Sequence, residues 1–376
     1  MKLFLLTSGR QDWGICKPIY YSLLEDPFFK VSVVIGGMHL SKHFVAPEFK
    51  KIRHSIQNAI DCPWISDNDP YNIPQQSSDV IVRLCECFNK HKPECIMVVG
   101  DRFETMAASM AATISKVKLI HIHGGEKTEG STDNIYRHAI SKMSHLHFTA
   151  HKDYKIRLHK LGEDPNTVFN VGAPGLDNFY LSKHVSKSRL EQLFGKKFTR
   201  SVILCTMHPS SNHNIALEEL NATLKVINNY NADFIVTLPN NDFGSSQYRE
   251  QILSLKKNKN CTVVTSLGED LYWSVMKISN CIIGNSSSAI IESPMLKCPV
   301  VNIGDRQKGR IKAKNIIDCN GSYEQILESL DKALSKSFKS SIVNLVSPFG
   351  DGRTSVKIRE RLKLWNYKFI DKKDYT

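Results

Sequence analysis

The sequence predicts an α/β protein built from two domains, each with a parallel, doubly wound sheet. In the first half of the chain, short apolar segments alternate with segments of helical periodicity, and the same alternation starts again in the second half. Strands that alternate with helices predict a parallel sheet covered by helices on both faces. Polar clusters follow several of the predicted strands, at the edge of the sheet where ligands bind in such folds.

The first half contains six predicted strands, separated by helical patterns. The strands are predicted at Lys2–Thr7, Lys30–Ile35, Cys95–Val99, Lys118–Ile122, His145–Thr149 and Thr167–Val171. Helical patterns lie between them, for example at Pro18–Glu25, Asp79–Lys90 and Glu104–Ser115. The apolar stretch at the start of the chain is short and a polar loop follows it at once, which favours a buried strand over a signal peptide.

The second half repeats the pattern with five predicted strands. These lie at Arg200–Cys205, Asp233–Leu238, Thr262–Thr265, Asn280–Ile283 and Pro299–Ile303, and helices are predicted at Ile215–Tyr230, Gly244–Lys257 and Glu269–Ile278. The polar, basic stretch Asn178–Lys197 is the predicted junction. We therefore expect two Rossmann-like domains, residues 1–180 and 181–352, facing an interdomain cleft. A helix predicted at Arg353–Lys368, within residues 353–376, should pack back on the first domain.

The composition is that of an ordinary soluble globular protein. The 376 residues are 41% hydrophobic and 23% charged, and no apolar run reaches the ~20 residues that span a bilayer. The ten cysteines lack paired metal-ligand spacing, which favours free thiols in a reducing cytoplasm. The net charge of +13 comes from lysines and arginines spread along the chain. This pattern favours a polyanionic substrate over a nucleic-acid or membrane partner.

The segment Gly284–Pro294 is a predicted anion site. An apolar strand leads into a turn of small residues that includes Ser286 and Ser287, and a helix follows. Backbone N–H groups and the helix dipole favour a phosphate at such a turn. Glu292, one to two turns into the helix, could accept hydrogen bonds from a ribose. An ordinary serine N-cap is the alternative interpretation.

Two strand-end loops in the first half carry arginines. Arg10 lies in a glycine-containing loop that leads into a helix, where it could form a bidentate contact with phosphate. The spacing differs from GxGxxG, so no dinucleotide fingerprint is present. Asp101 and Arg102 follow the third strand. A plain loop around Arg10 and a helix-capping role for Asp101 are equally compatible with these residues.

A third loop of the first half carries most of the predicted acid–base chemistry. His121 and His123 share one face of a strand, and two glycines then bring Glu126 towards a ligand, with Asp133 soon after. Together with Asp101, these carboxylates could converge at one edge of the sheet, where mutual repulsion would separate their proton affinities. A metal site made by the two histidines and a carboxylate is the alternative.

Three strand-end loops of the second half complete the candidate site. His208 follows the first strand of this half and could donate to a phosphate as a nucleotide departs. Asn240 lies in a polar loop, and Arg306 lies in a basic loop that could face the diphosphate.

Taken together, these motifs resemble the hydrolysing UDP-N-acetylglucosamine 2-epimerases of sialic-acid biosynthesis. The resemblance extends from Thr7 to about Cys319. Its motifs are TSGRQDWG at Thr7, GDRFE at Gly100, HIHGGEKTEG at His121, DNIYRHAISKMSHLHF at Asp133, FNVGAPGLDN at Phe169, MHP at Met207, GNSSSAIIESP at Gly284 and NIGDRQKGR at Asn302.

The resemblance implies a GT-B fold and a reaction without metal or cofactor. A base removes the C2 proton of the sugar, UDP leaves by anti elimination, and a 2-acetamidoglucal is hydrated to N-acetylmannosamine. By motif, Asp101, Glu126 and Asp133 match the catalytic acids. The matching UDP contacts are Arg10, Arg102, His208, Asn240, Ser286, Ser287, Glu292 and Arg306. Relatives also imply a homodimer or homotetramer.

Several functions stay open at the level of the sequence. The stretch Thr265–Gly268 and the loop at 239–242 also resemble enzymes that act on UDP-2,4-diacetamido-2,4,6-trideoxyglucose in legionaminic-acid synthesis. UDP-N-acetylglucosamine is the favoured substrate of the two. The motifs are also compatible with a UDP-sugar glycosyltransferase of the same fold, a metal-dependent hydrolase, a nucleotide sensor without turnover, and a non-hydrolysing epimerase.

Overall fold

Two compact units form the chain. The computed structural model describes residues 1–40, 53, 56–64, 72–127, 133–210, 213–239 and 245–365, and structural statements below refer to these. The first unit comprises Met1–Lys127, Thr132–Leu181 and Phe349–Thr376, and Ser182–Pro348 forms the second. None of the described helices is both long enough and apolar enough to cross a membrane.

The first unit contains seven described strands. They are β1 Lys2–Thr7, β2 Lys30–Ile35, β3 Ala59–Asp61, β4 Cys95–Val99, β5 Lys118–Ile122, β6 Leu146–Thr149 and β7 Val168–Asn170. Its helices before the second unit are α1 Arg10–Leu24, α2 Ile73–His91, α3 Phe103–Ile114, α4 Asp133–Met143, α5 Lys152–Lys160 and α6 Asn178–Leu181.

The sheet of the first unit is parallel, in the order β3-β2-β1-β4-β5-β6-β7. Both of its faces are buried, because Leu3 and Leu5 pack into one apolar cluster and Phe4 and Leu6 into another. The order of the strands reverses direction between β1 and β4. In open α/β sheets, this is the place where loops from neighbouring strands separate and leave room for a ligand.

The second unit repeats this architecture. Its strands are β8 Val202–Thr206, β9 Asp233–Thr237, β10 Cys261–Val264, β11 Cys281–Gly284, β12 Val300–Ile303 and β13 Ile316–Cys319, all parallel, in the order β10-β9-β8-β11-β12-β13. Its helices are α7 Lys187–Phe194, α8 His213–Asn229, α9 Ser245–Ser254, α10 Gly268–Ile278, α11 Ser287–Leu296, α12 Tyr323–Leu334 and α13 Lys336–Ser341. The strand order reverses between β8 and β11.

The last described helix, α14 Thr354–Leu364, returns to the first unit. Ile358 and Leu362 are buried in the same apolar cluster as Leu3 and Leu5. At the start of the helix, the buried carboxylate of Asp177 accepts hydrogen bonds from the N–H groups of Thr354 at 2.9 Å and Ser355 at 2.6 Å. An acid at a helix N-terminus satisfies N–H groups that have no partner within the helix.

The predicted strands match the structure closely, and the larger differences concern two helix starts and two edge strands. The helix α2 begins at Ile73, six residues before the predicted start at Asp79. The first helix begins at Arg10, eight residues before the predicted start at Pro18, because the helix accommodates this proline in its interior. A proline is more often found in the first turn of a helix, and this preference produced the error. The strands β3 and β13 were not predicted. Both are short and only partly buried, so they lack the continuous apolar run that marks a central strand.

Candidate active site

The loop after β1 is organised by Asp12, on the first turn of α1. The Asp12 carboxylate accepts hydrogen bonds from the N–H of Ser8 at 2.9 Å, the N–H of Gly9 at 3.1 Å and the hydroxyl of Ser8 at 2.6 Å. These bonds fix the turn so that Arg10 becomes the first residue of the helix, with an exposed side chain. The structure therefore places Arg10 at the start of α1, three residues after β1 ends, and not within the loop itself.

At the end of β4, each residue of the pair Asp101 and Arg102 has an ionic partner. Arg102 donates to both carboxylate oxygens of the buried Glu104, at 3.2 and 2.8 Å. Asp101 forms an ion pair with Arg137 of α4. The residue at the N-cap of α3 is Arg102, so the interpretation in which Asp101 caps this helix is wrong.

One face of α4 carries Asp133 and contacts residues at the ends of β4 and β5. Asp133, Arg137 and Ser141 are four residues apart, so they lie along the same side of the helix. Arg137 pairs with Asp101, and Ser141 bonds His121 of β5 at 3.0 Å. Asp133 is the first residue of the helix and is exposed. This face therefore links the ends of β4 and β5 to Asp133.

Arg137 is a functional candidate that the sequence analysis missed. The residue is 3% exposed, and two of its nitrogens, Nε and Nη1, are buried without a hydrogen-bond partner among the described residues. A buried guanidinium with donors to spare beside Asp101 can bind an anionic or carbonyl group. Its position one helical turn after Asp133 is visible in the sequence, but its contact with Asp101 is not.

The loop after β5 needs its two glycines for close packing. A side chain at Gly124 would lie 2.9 Å from the His121 ring, and one at Gly125 would lie 2.4 Å from the carbonyl oxygen of Tyr154. Gly125 also has a φ of +77°, which favours glycine. The Arg157 guanidinium of α5 donates to the Gly125 carbonyl. The turn is thereby held against α5, and it delivers Glu126 into a buried position.

Glu126 is paired with His123. The Nδ1 atom of His123 lies 2.7 Å from Oε1 of Glu126, and both side chains are buried. His121 does not share this arrangement. Its two ring nitrogens bond the Gly100 carbonyl at 2.8 Å and Ser141, and burial lowers the pKa of its imidazole to about 3. The two histidines therefore have separate partners, and His121 is a neutral structural residue.

The residues that the structure describes contain no group of three or more His, Cys, Asp or Glu side chains arranged to hold a metal ion. His121 and His123 were the predicted ligands of the metal site considered from the sequence. The His121 imidazole bonds Ser141 of α4, whereas the His123 imidazole bonds Glu126.

In the second unit, a tight turn joins β11 to α11. A side chain at Gly284 would lie 2.0 Å from the Thr206 carbonyl oxygen, and its φ of +132° favours glycine. Asn285 follows and is fully buried. Its side chain accepts from the His208 N–H and donates to the His208 carbonyl, both at 2.8 Å. The turn and the His208 loop are therefore held together by one side-chain amide.

The backbone carbonyl of Asn285 extends this network to the loop after β12. It accepts from Arg306 Nη1 at 3.0 Å and from Gln307 Nε2 at 2.9 Å. Asn285 thus connects three of the predicted UDP-contact loops, although it was not itself predicted as a site residue. Its own signal in the sequence is weak, because an asparagine in a turn is most often explained by the turn alone.

The serine-rich start of α11 differs from an ordinary capped helix. Ser286 occupies the N-cap position, but its hydroxyl makes no capping bond to the backbone and instead bonds Ser288 at 2.9 Å. Ser288 in turn bonds the Tyr272 hydroxyl at 2.6 Å. Ser286 therefore lies at the N-cap, as the alternative interpretation has it, but without the side-chain bond of an ordinary cap. Ser287 is the first residue of the helix, where backbone N–H groups favour an anion.

Glu292 lies on α11 in an environment that disfavours its charge. Its Oε2 atom is buried without a hydrogen-bond partner among the described residues. Burial, with a smaller effect from the neighbouring Glu269, raises the pKa of Glu292 to about 8. A carboxyl group in this state is suited to bind a neutral polar group such as a hydroxyl, which can satisfy it without requiring a counter-ion.

His208 is 6% exposed and lies near Arg306. Burial, with a further contribution from the Arg306 charge, lowers the pKa of His208 to about 3. The imidazole is therefore neutral near pH 7 and can donate one N–H hydrogen bond. Asn240, also predicted to contact UDP, lies outside the described residues.

Comparison with known proteins identifies the family. The model of the UDP-N-acetylglucosamine 2-epimerase family matches residues 22–363, which is most of the chain. The chain belongs to this family. Its relatives include a hydrolysing GDP/UDP-N,N'-diacetylbacillosamine 2-epimerase of Campylobacter jejuni, which is 32% identical over 90% of this chain and 88% of the relative.

Two further relatives have similar identity. The polysialic acid biosynthesis protein P7 of Escherichia coli is 31% identical, over 93% of this chain and 90% of the relative. A hydrolysing UDP-N,N'-diacetylbacillosamine 2-epimerase of Legionella pneumophila is 30% identical, over 96% of this chain and 95% of the relative. Within the epimerase family, the chain is therefore a hydrolysing 2-epimerase of the diacetylbacillosamine and polysialic acid type.

A solved structure confirms the fold class. The UDP-N-acetylglucosamine 2-epimerase of Neisseria meningitidis, solved with UDP-N-acetylglucosamine bound, superposes with a TM-score of 0.85 at 21% identity. The match covers 97% of this chain and 100% of that one. The predicted GT-B-like class, with two doubly wound parallel sheets, is confirmed.

Proposed function

We propose that this epimerase converts a UDP-2-acetamido sugar into UDP and the free sugar epimerised at C2. The reaction removes the C2 proton, eliminates UDP in the anti sense and adds water to the resulting 2-acetamidoglucal. The main support from the structure is the arrangement at the edge of the first sheet. There, Asp101 and Glu126 each have a basic partner, and Asp133 lies on the same helix face as Arg137.

In this proposal, Asp101, Glu126 and Asp133 transfer protons in elimination and hydration. The C2 proton is only weakly acidic, so the base must be fixed in place before the substrate reacts. Ion pairs and hydrogen bonds to buried partners restrict Asp101 and Glu126 to defined positions. Which of the three carboxylates acts as the base is a separate question that the variants below address.

The residues assigned to UDP lie in the second unit, except for Arg10 and Arg102 of the first. Negative charge grows on the diphosphate as the C1–O bond breaks, and donors that are already in position stabilise it without reorganising. We assign this role to His208, to Arg306 and to the start of α11 at Ser286 and Ser287. Glu292 is assigned to the ribose hydroxyls, and Arg10 and Arg102 complete the proposed UDP contacts.

For the sugar, we propose UDP-N,N'-diacetylbacillosamine, which is UDP-2,4-diacetamido-2,4,6-trideoxyglucose, as the first candidate. Two relatives at 30% and 32% identity are named for this sugar. UDP-N-acetylglucosamine, favoured on the sequence alone, is the second candidate. It is supported by a Neisseria meningitidis UDP-N-acetylglucosamine 2-epimerase at 25% identity. Both substrates would undergo the same chemistry at C1 and C2.

Amide variants of the three acids test the assignment. Asp101→Asn, Glu126→Gln and Asp133→Asn keep the size of each side chain but remove the proton transfer. Each should lose at least about a hundredfold in turnover while UDP affinity stays within threefold of the wild type, about 0.65 kcal/mol. The matched control is Asp153→Asn, an exposed acid on α5, which should retain full turnover.

The steps can be separated with the intermediate. A variant that hydrates supplied 2-acetamidoglucal but does not consume the UDP-sugar has lost a residue needed for elimination. Near-normal turnover of all three amide variants, in folded protein, would show that the catalytic centre lies elsewhere.

A further inference from the structure

His123 has a positive φ, although it does not end a helix. Among the described residues, four that are not glycine have a positive φ: Lys92, Lys116, His123 and Lys297. The three lysines end helices, where the left-handed conformation is a common way to terminate the helix. His123 instead follows the strand β5 directly, with a φ of +66°. Strain of this kind is often found at functional sites.

The unusual conformation turns the imidazole towards Glu126. The His123 N–H still bonds the Phe148 carbonyl of β6 at 3.1 Å, so the backbone remains anchored to the sheet. The side chain then reaches Glu126, with Nδ1 at 2.7 Å from Oε1. The exposed fraction is 8% for His123 and 5% for Glu126, so water competes little for this hydrogen bond.

The same conformation continues into the two glycines. Gly125 also has a positive φ, and its carbonyl is bound by Arg157. Contacts from three directions therefore hold the segment: β6 holds His123, α5 holds Gly125, and His123 holds Glu126. A carboxylate fixed in this way has one orientation, which is a requirement of a residue that takes or gives a proton.

We propose that His123 is the positioning residue of Glu126, with Nδ1–H donating to the carboxylate and fixing its orientation for proton transfer. The inference rests on the proposed function, since it assumes that Glu126 acts on the substrate. It assigns to His123 the orientation of Glu126, in place of the metal-ligand role considered from the sequence.

The hydrogen bond also affects when Glu126 is ionised. A donor to the charged form of a carboxylate favours that form. If the donor is removed, the carboxylate remains buried without this bond, and its pKa should rise. Charged or titratable groups that the structure describes near this loop include Lys127 beside Glu126, His121 on β5, His147 on β6, Arg137 and His138 on α4, Arg157 on α5, and Asp101. All of them remain in every variant used below, so they form a constant background.

Three substitutions at position 123 separate the imidazole from the backbone. His123→Asn keeps a side-chain donor and a residue type that tolerates positive φ. His123→Gly relieves the strain but removes the donor. His123→Ala removes the donor and keeps the strain. His159→Asn, on α5, is the control for the loss of a histidine that leaves the contact between His123 and Glu126 in place.

The pH dependence of kcat distinguishes the outcomes. His123→Ala and His123→Gly should both lose about tenfold to a hundredfold in kcat, with KM little changed. In both, the limb of the pH profile that Glu126→Gln abolishes should move to higher pH by about one unit. His123→Asn should keep most of the activity and a profile close to that of the wild type, as should His159→Asn.

Two results would overturn the proposal. One is wild-type activity in His123→Gly with a loss in His123→Ala, because the backbone alone would then explain the role of the residue. The other is an equal loss in all three variants with an unchanged pH profile, because His123 would then contribute packing only.

A measurement without substrate separates this inference from the proposed function. Carbon-13 NMR of the glutamate carboxyl groups, with the Glu126 signal assigned by its absence in Glu126→Gln, follows the titration directly. The Glu126 signal should titrate at higher pH in His123→Ala than in the wild type. If the wild type consumes no UDP-sugar, the proposed function fails, and this titration still tests the pairing. An unchanged titration refutes the pairing whatever the substrate.

Discussion

Asn285 provides a sharp test of how the second unit is organised. Its side chain holds both backbone polar groups of His208 at 2.8 Å, while its backbone carbonyl holds Arg306 and Gln307. The substitution Asn285→Ala removes the two side-chain bonds and leaves the backbone carbonyl in place. It therefore releases the His208 loop selectively, without removing the acceptor that Arg306 and Gln307 use.

The structure allows the size of the effect to be estimated. Asn285 is fully buried, so its loss leaves the N–H and the carbonyl of His208 without these partners in a buried region. A buried polar group that loses its partner costs about 1–3 kcal/mol, so two such groups cost about 2–6 kcal/mol at most. A water molecule that enters the vacated space would reduce this value. We expect a clear loss of stability and, because His208 is no longer fixed, a loss of UDP affinity of about tenfold or more.

Asn315→Ala is the matched control. Asn315 is also fully buried in the second unit, and its amide donates to the Ser293 hydroxyl at 2.8 Å and to the Cys298 carbonyl at 2.6 Å. It should lose comparable stability but keep UDP affinity near the wild-type value. Thermal unfolding and calorimetric titration with UDP measure the two effects. The reasoning is refuted if both variants lose UDP affinity equally, or if Asn285→Ala binds UDP as the wild type does.

Three further predictions follow from the site. The pKa of Glu292 is raised from 4.5 to about 8 in the folded protein, so the stability that this group contributes is lost as the pH rises from 4.5 to 8. Glu292→Gln should therefore unfold at a higher temperature than the wild type at pH 9, with a smaller difference at pH 5. In calorimetry, the same variant should bind UDP more weakly. His208→Ala and Arg306→Ala should each weaken UDP binding or slow its release by about tenfold to a hundredfold, and unchanged binding and turnover in both would refute their assignment. Activity should be retained in EDTA, because His121 is held by Gly100 and Ser141; a loss that one divalent ion restores would contradict this.

The regular elements could be predicted from the sequence because their central strands are continuously apolar. The strands Lys2–Thr7, Lys30–Ile35, Cys95–Val99 and Lys118–Ile122 have the predicted bounds, and all four are largely buried. A strand that is buried on both faces is apolar at nearly every residue, so it can be recognised from the sequence. The edge strands β3 and β13 lack this signal, since only part of each is buried and neighbouring strands determine their pairing.

The site could be predicted only in part, for a related reason. Residues at the ends of predicted strands, such as Asp101 and Arg306, could be chosen because topology places strand ends together. The partners that orient them could not be identified in this way. Arg137 reaches Asp101 from a helix 36 residues away, and Asn285 reaches His208 across 77 residues. Such contacts depend on the packing of elements, and no local pattern in the sequence specifies them.

The positive φ of His123 is a similar case. The sequence shows two glycines after this histidine, which predict a tight turn, but it does not show that the turn already begins at His123. A histidine is uncommon in the left-handed region, so propensity alone favours an extended conformation there. The contact with Glu126 and the packing of the loop against α5 compensate for this local preference.

The products formed from each candidate UDP-sugar in deuterated water test the central claim most directly. The account predicts, by NMR, one equivalent of UDP and a free 2-acetamido sugar of manno configuration with deuterium at C2, in the absence of any acceptor. Supplied 2-acetamidoglucal should give the same sugar. A C2 epimer that is still attached to UDP, or UDP release that requires an acceptor, would contradict the hydrolysing elimination and hydration.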